Sequence, residues 1–305
     1  MKILPFISCL LLASTAAQSA RETVVVTENF FKEEYIIYTS DYHIVKIYVP
    51  FNKLNFQNDG PNSLFFVEAE INNTDKETID KGLYVFKDGK AIKVLDNGRD
   101  AVATNENVIY FGANDGIYKY NEADNSAAKH GTVTDNIIQL AHNNVTNTVY
   151  YLTANHEVFK LNNEATNSVK VALVKDVQAL VFGFEGNMYY FDSKKNVYVF
   201  NDADNTEPKK VVGLPSQINK LTLIAPLNGM EKGSVLLVDK TIYVVKPDAT
   251  ITRELRPTTK VSLEVELTAF GPQPTMIQYY AKDKKLYEFY IFDIMKKHKE
   301  YFVGF

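Results

Sequence analysis

A six-bladed β-propeller is the fold this sequence predicts, and three observations predict it. A pair of short aromatic and β-branched runs joined by a polar turn recurs along the chain. The copies return about every 40 residues, the period of propeller blades. Nowhere in the copies do apolar residues take the 3.6-residue spacing of a helix. A seven-bladed ring is the alternative, because residues 35–47 form a partial copy ahead of the six full ones.

The leader comes first. Lys2 precedes an apolar run over residues 3–12, and small residues follow over 13–20. Ala17-Gln18-Ser19 puts small side chains where a signal peptidase reads them, so residues 1–19 read as a secretory signal peptide. The run is too short to span a bilayer. Residues 20–305 then form a single propeller domain, secreted and extracellular. Cys9, the only cysteine, lies in the leader, so the exported chain carries no disulfide and no thiol. A chain of this length can bury a large core without such staples.

The blades follow. Strand pairs are expected at residues 108–120, 149–161, 188–200, 235–245 and 277–289. An earlier copy pairs 63–67 with 82–86 across a longer insert. The apolar residue opening the second strand is Leu83, Ile117, Val158, Val197, Ile242 and Leu286 in turn. Apolar runs at 100–104, 136–141, 177–182, 220–225 and 265–270 read as the strands nearest the axis. More polar runs at 91–95, 169–173 and 209–212 read as outer edges, where lysine discourages pairing with another chain. Residues 35–47 are expected to close the ring against the C-terminal blade, because an open end must be paired. Residues 296–299 read as a solvated turn before a last strand at 301–305.

The charge balance narrows the partners. The chain has 33 basic and 37 acidic residues, a net charge of −4. Its arginines are Arg21, Arg99, Arg253 and Arg256. A mildly acidic, arginine-poor chain argues against nucleic acid and against an anionic membrane surface.

Catalytic signatures are missing. There is no zinc-protease, serine-hydrolase, phosphate-loop or dinucleotide motif. His43, His130, His142, His156 and His298 lack metal-ligand spacing and read as surface or hydrogen-bonded residues. Six-bladed lactonases hold a divalent cation on the axis through Glu, Asn and Asp, and Asp59-Gly60-Pro61 resembles the Glu-Gly-Pro that opens them. Here it abuts the strand at 64–67, which makes it a turn within a blade. Glu68 with Glu70, and Glu264 with Glu266, would each share a strand face, and both pairs read as solvated. No catalytic residue, metal site or cofactor is expected.

One stretch carries a resemblance. Residues 108–121, above all Asp115-Gly-Ile-Tyr-Lys-Tyr120, are similar to a blade of the ommochrome-binding proteins of moth and butterfly haemolymph. Residues 63–66 and 186–191 resemble its neighbouring blades. The chain departs from that family in lacking an N-terminal cysteine pair and in the enlarged segment 70–81. The resemblance implies a non-enzymatic haemolymph carrier for an ommochrome, a planar acidic aromatic pigment. A propeller axis offers a concave site for such a ligand. Aromatic walls would stack on its rings, and basic groups would meet its carboxylates.

Side chains at inner-strand starts are the expected contacts: Arg99, Asn136, Gln139, Gln178, Lys220 and Glu266. Asn72 and Asn144 head glycosylation sequons in polar, loop-like stretches. A second reading is a secreted interaction propeller offering a loop face to a protein partner, and a third is a lactonase-like metal-dependent hydrolase.

Overall fold

Hairpins of alternating aromatic and β-branched residues bury one another's faces when they are stacked in a ring. The computed structural model of the chain shows that ring. It describes residues 22–50, 63–72, 78–162, 164–204, 206–226, 232–253, 259–271 and 277–290. The expected leader, Asp59-Gly60-Pro61, His298 and the tail at 296–305 lie outside the described residues.

Six sheets, antiparallel but for one parallel pair in the fifth, make six blades, so the six-bladed expectation holds and the seven-bladed one does not. The first blade runs outward through His43–Tyr48, Leu64–Ile71, Thr78–Lys87 and Lys90–Leu95. The second is Gly98–Ala103, Ile109–Ala113, Gly116–Asn121 and Ser126–Lys129. The third is Ile137–Asn143, Thr148–Thr153, Val158–Leu161 and Ser168–Lys170, and the fourth is Val177–Phe182, Met188–Asp192, Val197–Phe200 and Lys209–Lys210. Each of these four is built from consecutive strands.

The last two blades borrow from the N-terminus. In the fifth, Leu221–Ile224, Ser234–Val238 and Thr241–Val245 are followed by Ile251–Thr252 and Thr259–Leu263, which both pair with Thr241–Val245. Glu22–Val26 then pairs in parallel with Thr259–Leu263. In the sixth, Ala269–Gly271, Ile277–Lys282 and Lys285–Tyr290 are completed by Ile36–Thr39.

The partial copy at 35–47 is thus divided. Ile36–Thr39 closes the sixth blade as expected, but His43–Tyr48 is the innermost strand of the first. The innermost strand of the sixth is Ala269–Gly271, shorter than the run expected at 265–270. The insert after Val67 is a lengthened hairpin whose pairing reaches Ile71 and Thr78.

The core lies between neighbouring blades. Leu83, Ile117, Val158, Val197, Ile242 and Leu286 are all at most 1% exposed, so the repeat read from the sequence is a repeat of buried positions. Aromatic pairs reinforce it. Phe66 stacks on Tyr84 and Tyr151 on Phe159, each across two strands of one blade. Such pairs add about 0.5–1.5 kcal/mol beyond their buried area.

The solvated reading of the Glu68–Glu70 pair is corrected. A bulge between Glu68 and Ala69 shifts the register. Glu68 is buried and accepts a hydrogen bond from Tyr38 Oη at 3.1 Å, while Glu70 stays exposed and pairs with Lys81. Burial and the adjacent Glu68 push the Tyr38 phenol up to about 12.

Candidate functional site

Six inner strands surround the axis, and their register decides what faces it. In the first four blades that strand carries a bulge at the same place, with Val45, Arg99, Ile138 and Gln178 skipped by the pairing. A bulge turns the side chains around it. The residues that follow it are Lys46, Asp100, Gln139 and Ala179. Lys46, Asp100 and Gln139 stand in the wall of the axial channel.

That channel is a cavity of about 430 Å³ to which all six blades contribute. Its size is in the range of ordinary small-molecule sites. The wall divides by chemistry. Blades one to three bring the polar Lys46, Asp100, Gln139 and His142, set among apolar neighbours such as Ile47, Val102 and Leu140. Blades four to six bring chiefly apolar groups such as Val181, Phe182, Leu223, Ile224 and Phe270, with Thr222 and Thr268 as polar exceptions.

The polar side is a network whose side chains come from three blades and whose ties reach a fourth. Lys46 Nζ donates to Asp100 Oδ2 at 2.7 Å and to the Ile138 carbonyl at 3.0 Å. Asp100 also accepts from the main-chain N–H of Leu140 at 2.8 Å and of Ala101 at 3.0 Å. Gln139 makes the next tie, donating to the Leu180 carbonyl at 2.7 Å and accepting from the Leu180 N–H at 3.1 Å. His142 Nε2–H donates to Asn147 Oδ1 at 3.0 Å. Burial lowers the His142 pKa, against the opposing pull of Asn147 and Glu106, so the wall holds a neutral imidazole at neutral pH. Burial also raises the Tyr48 phenol, which accepts the Ala103 N–H at 2.7 Å.

Of the six residues expected to face the axis, Gln139 alone belongs to this wall. Arg99 sits on the bulge and turns to the rim, donating to Asp80 at 2.6 Å and to Asn136 Oδ1. It links the first three blades instead of awaiting a ligand. Gln178, also bulged, folds back to Asp176 at 3.1 Å. Lys220 and Glu266 pair with each other across blades five and six and line a side cavity of about 390 Å³. Lys46 and Asp100 were missed. Their signal is legible afterwards: each is a charge set inside an otherwise apolar inner run.

Asn144 is exposed in the turn between Ile137–Asn143 and Thr148–Thr153. Asn72 is exposed just beyond Leu64–Ile71. Four histidines are satisfied locally: His43 by Asp283, His130 by the Glu164 carbonyl, His142 by Asn147 and His156 by the Val177 carbonyl. Among the described residues no group of three or more His, Cys, Asp or Glu is placed to hold a metal ion. No helix among them is long and apolar enough to cross a membrane.

No family model matches the chain, and no curated protein matches it either. Solved structures do. A protein of unknown function from Bacteroides thetaiotaomicron superposes with a TM-score of 0.53 at 13% identity, over 82% of this chain and 69% of that one. PorZ, a surface component of the type-IX secretion system of Porphyromonas gingivalis, matches at 0.48 and 11% identity, over 83% of this chain and 38% of its own. A protein provisionally described as a gluconolactonase matches at 0.49 and 9%, over 83% and 90%. The chain therefore spans well under half the length of PorZ. At these identities the likeness concerns the fold alone.

Proposed function

We propose that the protein is a secreted, non-enzymatic binding propeller that takes a planar aromatic small molecule in its axial channel, with an ommochrome-like pigment as the first candidate. The observation that carries this reading is the channel itself. It has an apolar flank on blades four to six and a short polar flank on blades one to three. That is the composition of a small-molecule site. The sequence resemblance at residues 108–121 supplies the candidate ligand, and the leader supplies the secretion.

The lactonase-like reading is less favoured. Among the described residues Asp100 is the one carboxylate in the wall, and its oxygens are already engaged by Lys46 and two main-chain N–H groups. The interaction-propeller reading has its own motive, since Val145, Val169 and Val212 are each more than 60% exposed. Val145 is on a turn and Val169 on the outer strand of the third blade, and Val212 is just beyond the outer strand of the fourth.

The test is an absorption spectrum of the protein purified from its native fluid, followed by titration with xanthommatin. A co-purifying chromophore, or saturable one-to-one binding with a spectral shift, supports the carrier. A colourless protein that ignores the pigment removes that ligand and turns the search to a protein partner. N-terminal sequencing of the exported protein and its mass before and after enzymatic deglycosylation test the leader and the Asn72 and Asn144 sequons.

A further inference from the structure

The polar flank of the channel is asymmetric in a way that specifies more than a flat ligand. An ammonium group has three N–H donors. Lys46 spends two, on Asp100 and on the Ile138 carbonyl. Among the described residues no third acceptor lies within hydrogen-bond distance, and the side chain is 32% exposed. Among the described residues Lys46 is the only lysine or arginine in the wall.

Lys46 is the counter-ion of Asp100 at 2.7 Å, and two main-chain N–H groups also hold that carboxylate, one on each oxygen, so its hydrogen bonding does not take up the whole ammonium.

We infer that Lys46 is the specificity-determining residue of the channel and that the ligand is an aromatic oxyanion, its carboxylate or sulfonate accepting from Lys46 while its ring system lies along blades four to six. This rests on the channel reading above. The charge-assisted bond orients the ligand, and the apolar flank supplies the area. Asp100 and the Ile138 carbonyl hold the ammonium in place, so little side-chain entropy is lost on binding.

Two fluorescent probes of nearly one skeleton separate the parts of this claim: 1-anilinonaphthalene-8-sulfonate and the uncharged N-phenyl-1-naphthylamine. Both are titrated into the full exported chain, into Lys46→Met, into Lys46→Arg and into Thr222→Trp, which fills the channel. The expected result is loss of both probes in Thr222→Trp. Lys46→Met should weaken the sulfonate about tenfold or more and leave the neutral probe within about twofold. Lys46→Arg should restore most of the sulfonate affinity, and added salt should weaken the sulfonate in the wild type and in Lys46→Arg but not in Lys46→Met. Should Lys46→Met fail to fold, Lys46→Gln serves in its place. Unchanged sulfonate binding in the lysine variants, or an equal loss of both probes, overturns the inference and leaves the channel reading intact. Absence of binding by either probe, or binding indifferent to Thr222→Trp, overturns the channel reading and the inference together.

Discussion

Blades one to four and blades five and six solve the same problem with different material. In the first four, each sheet is built from consecutive strands, and three of the inner strands are tied to a neighbour by a polar side chain. Lys46 reaches Asp100, Asp100 reaches the Leu140 N–H, and Gln139 reaches both main-chain groups of Leu180. In the last two, the inner strands shorten to Leu221–Ile224 and Ala269–Gly271. There the outer strands come from residues far away in the chain, Glu22–Val26 and Ile36–Thr39. The difference teaches that local order and ring closure are separate matters. Four blades can form by short-range contacts, whereas closure waits for the two chain ends to meet, and such long-range pairing is entropically the slow step.

The contrast breaks most sharply at the closure. Phe31 precedes the closing strand and packs edge-on against Tyr287 and Phe289, with ring centroids 5.3 and 5.5 Å away. Phe31→Ala should cost about 3–5 kcal/mol in urea unfolding. Hydrogen exchange should then show blades five and six losing protection before blades one to four. Uniform loss would mean that the ring opens only as a whole.

The side-chain ties come next. Asp100→Ala leaves the Lys46 ammonium and the Leu140 N–H without their partner, and should cost about 2–4 kcal/mol. Adding Lys46→Met should recover part of that, because the orphaned charge is gone, and a double-mutant cycle measures the coupling. Purely additive losses would show that the two groups act independently.

A smaller effect separates the channel wall by pH. Burial lowers the His142 pKa below its ordinary 6.5. The unfolded chain therefore takes up the proton first. Its contribution to stability is complete above pH 6.5 and is lost as pH falls through the folded-state value. His142→Gln should flatten the fall in melting temperature between pH 7 and 5. An unaltered slope would place that sensitivity elsewhere. Asp115, Asp176 and Asp248 have pKa values lowered from 3.8 and act in a more acidic window.

The smallest effect belongs to the rim of blades five and six. Lys220 and Glu266 are more than half exposed, and Lys220→Ala should change stability by less than about 0.5 kcal/mol. A larger loss would make the rim pair a structural counterpart of the ties in the first half.

Much of this was legible in the chain before folding. The hairpins, their period, the six equivalent buried positions and the closing role of Ile36–Thr39 follow from local chemistry: strands alternate, turns take polar residues, and an open edge needs a partner. The site was legible only in part. Arg99 and Gln178 were expected on the axis, yet a one-residue bulge turns each away, and pairing register is a property of two strands together. Glu68 was read as solvated, yet a bulge and Tyr38 enclose it. A repeat of blades about every 40 residues was written in the chain residue by residue, as burial periodicity, and the choice of six over seven came with the folded ring. That Lys46 meets Asp100, 54 residues later in the chain, was set by the packing of the first two blades, because the contact exists only once their inner strands stand side by side at the axis.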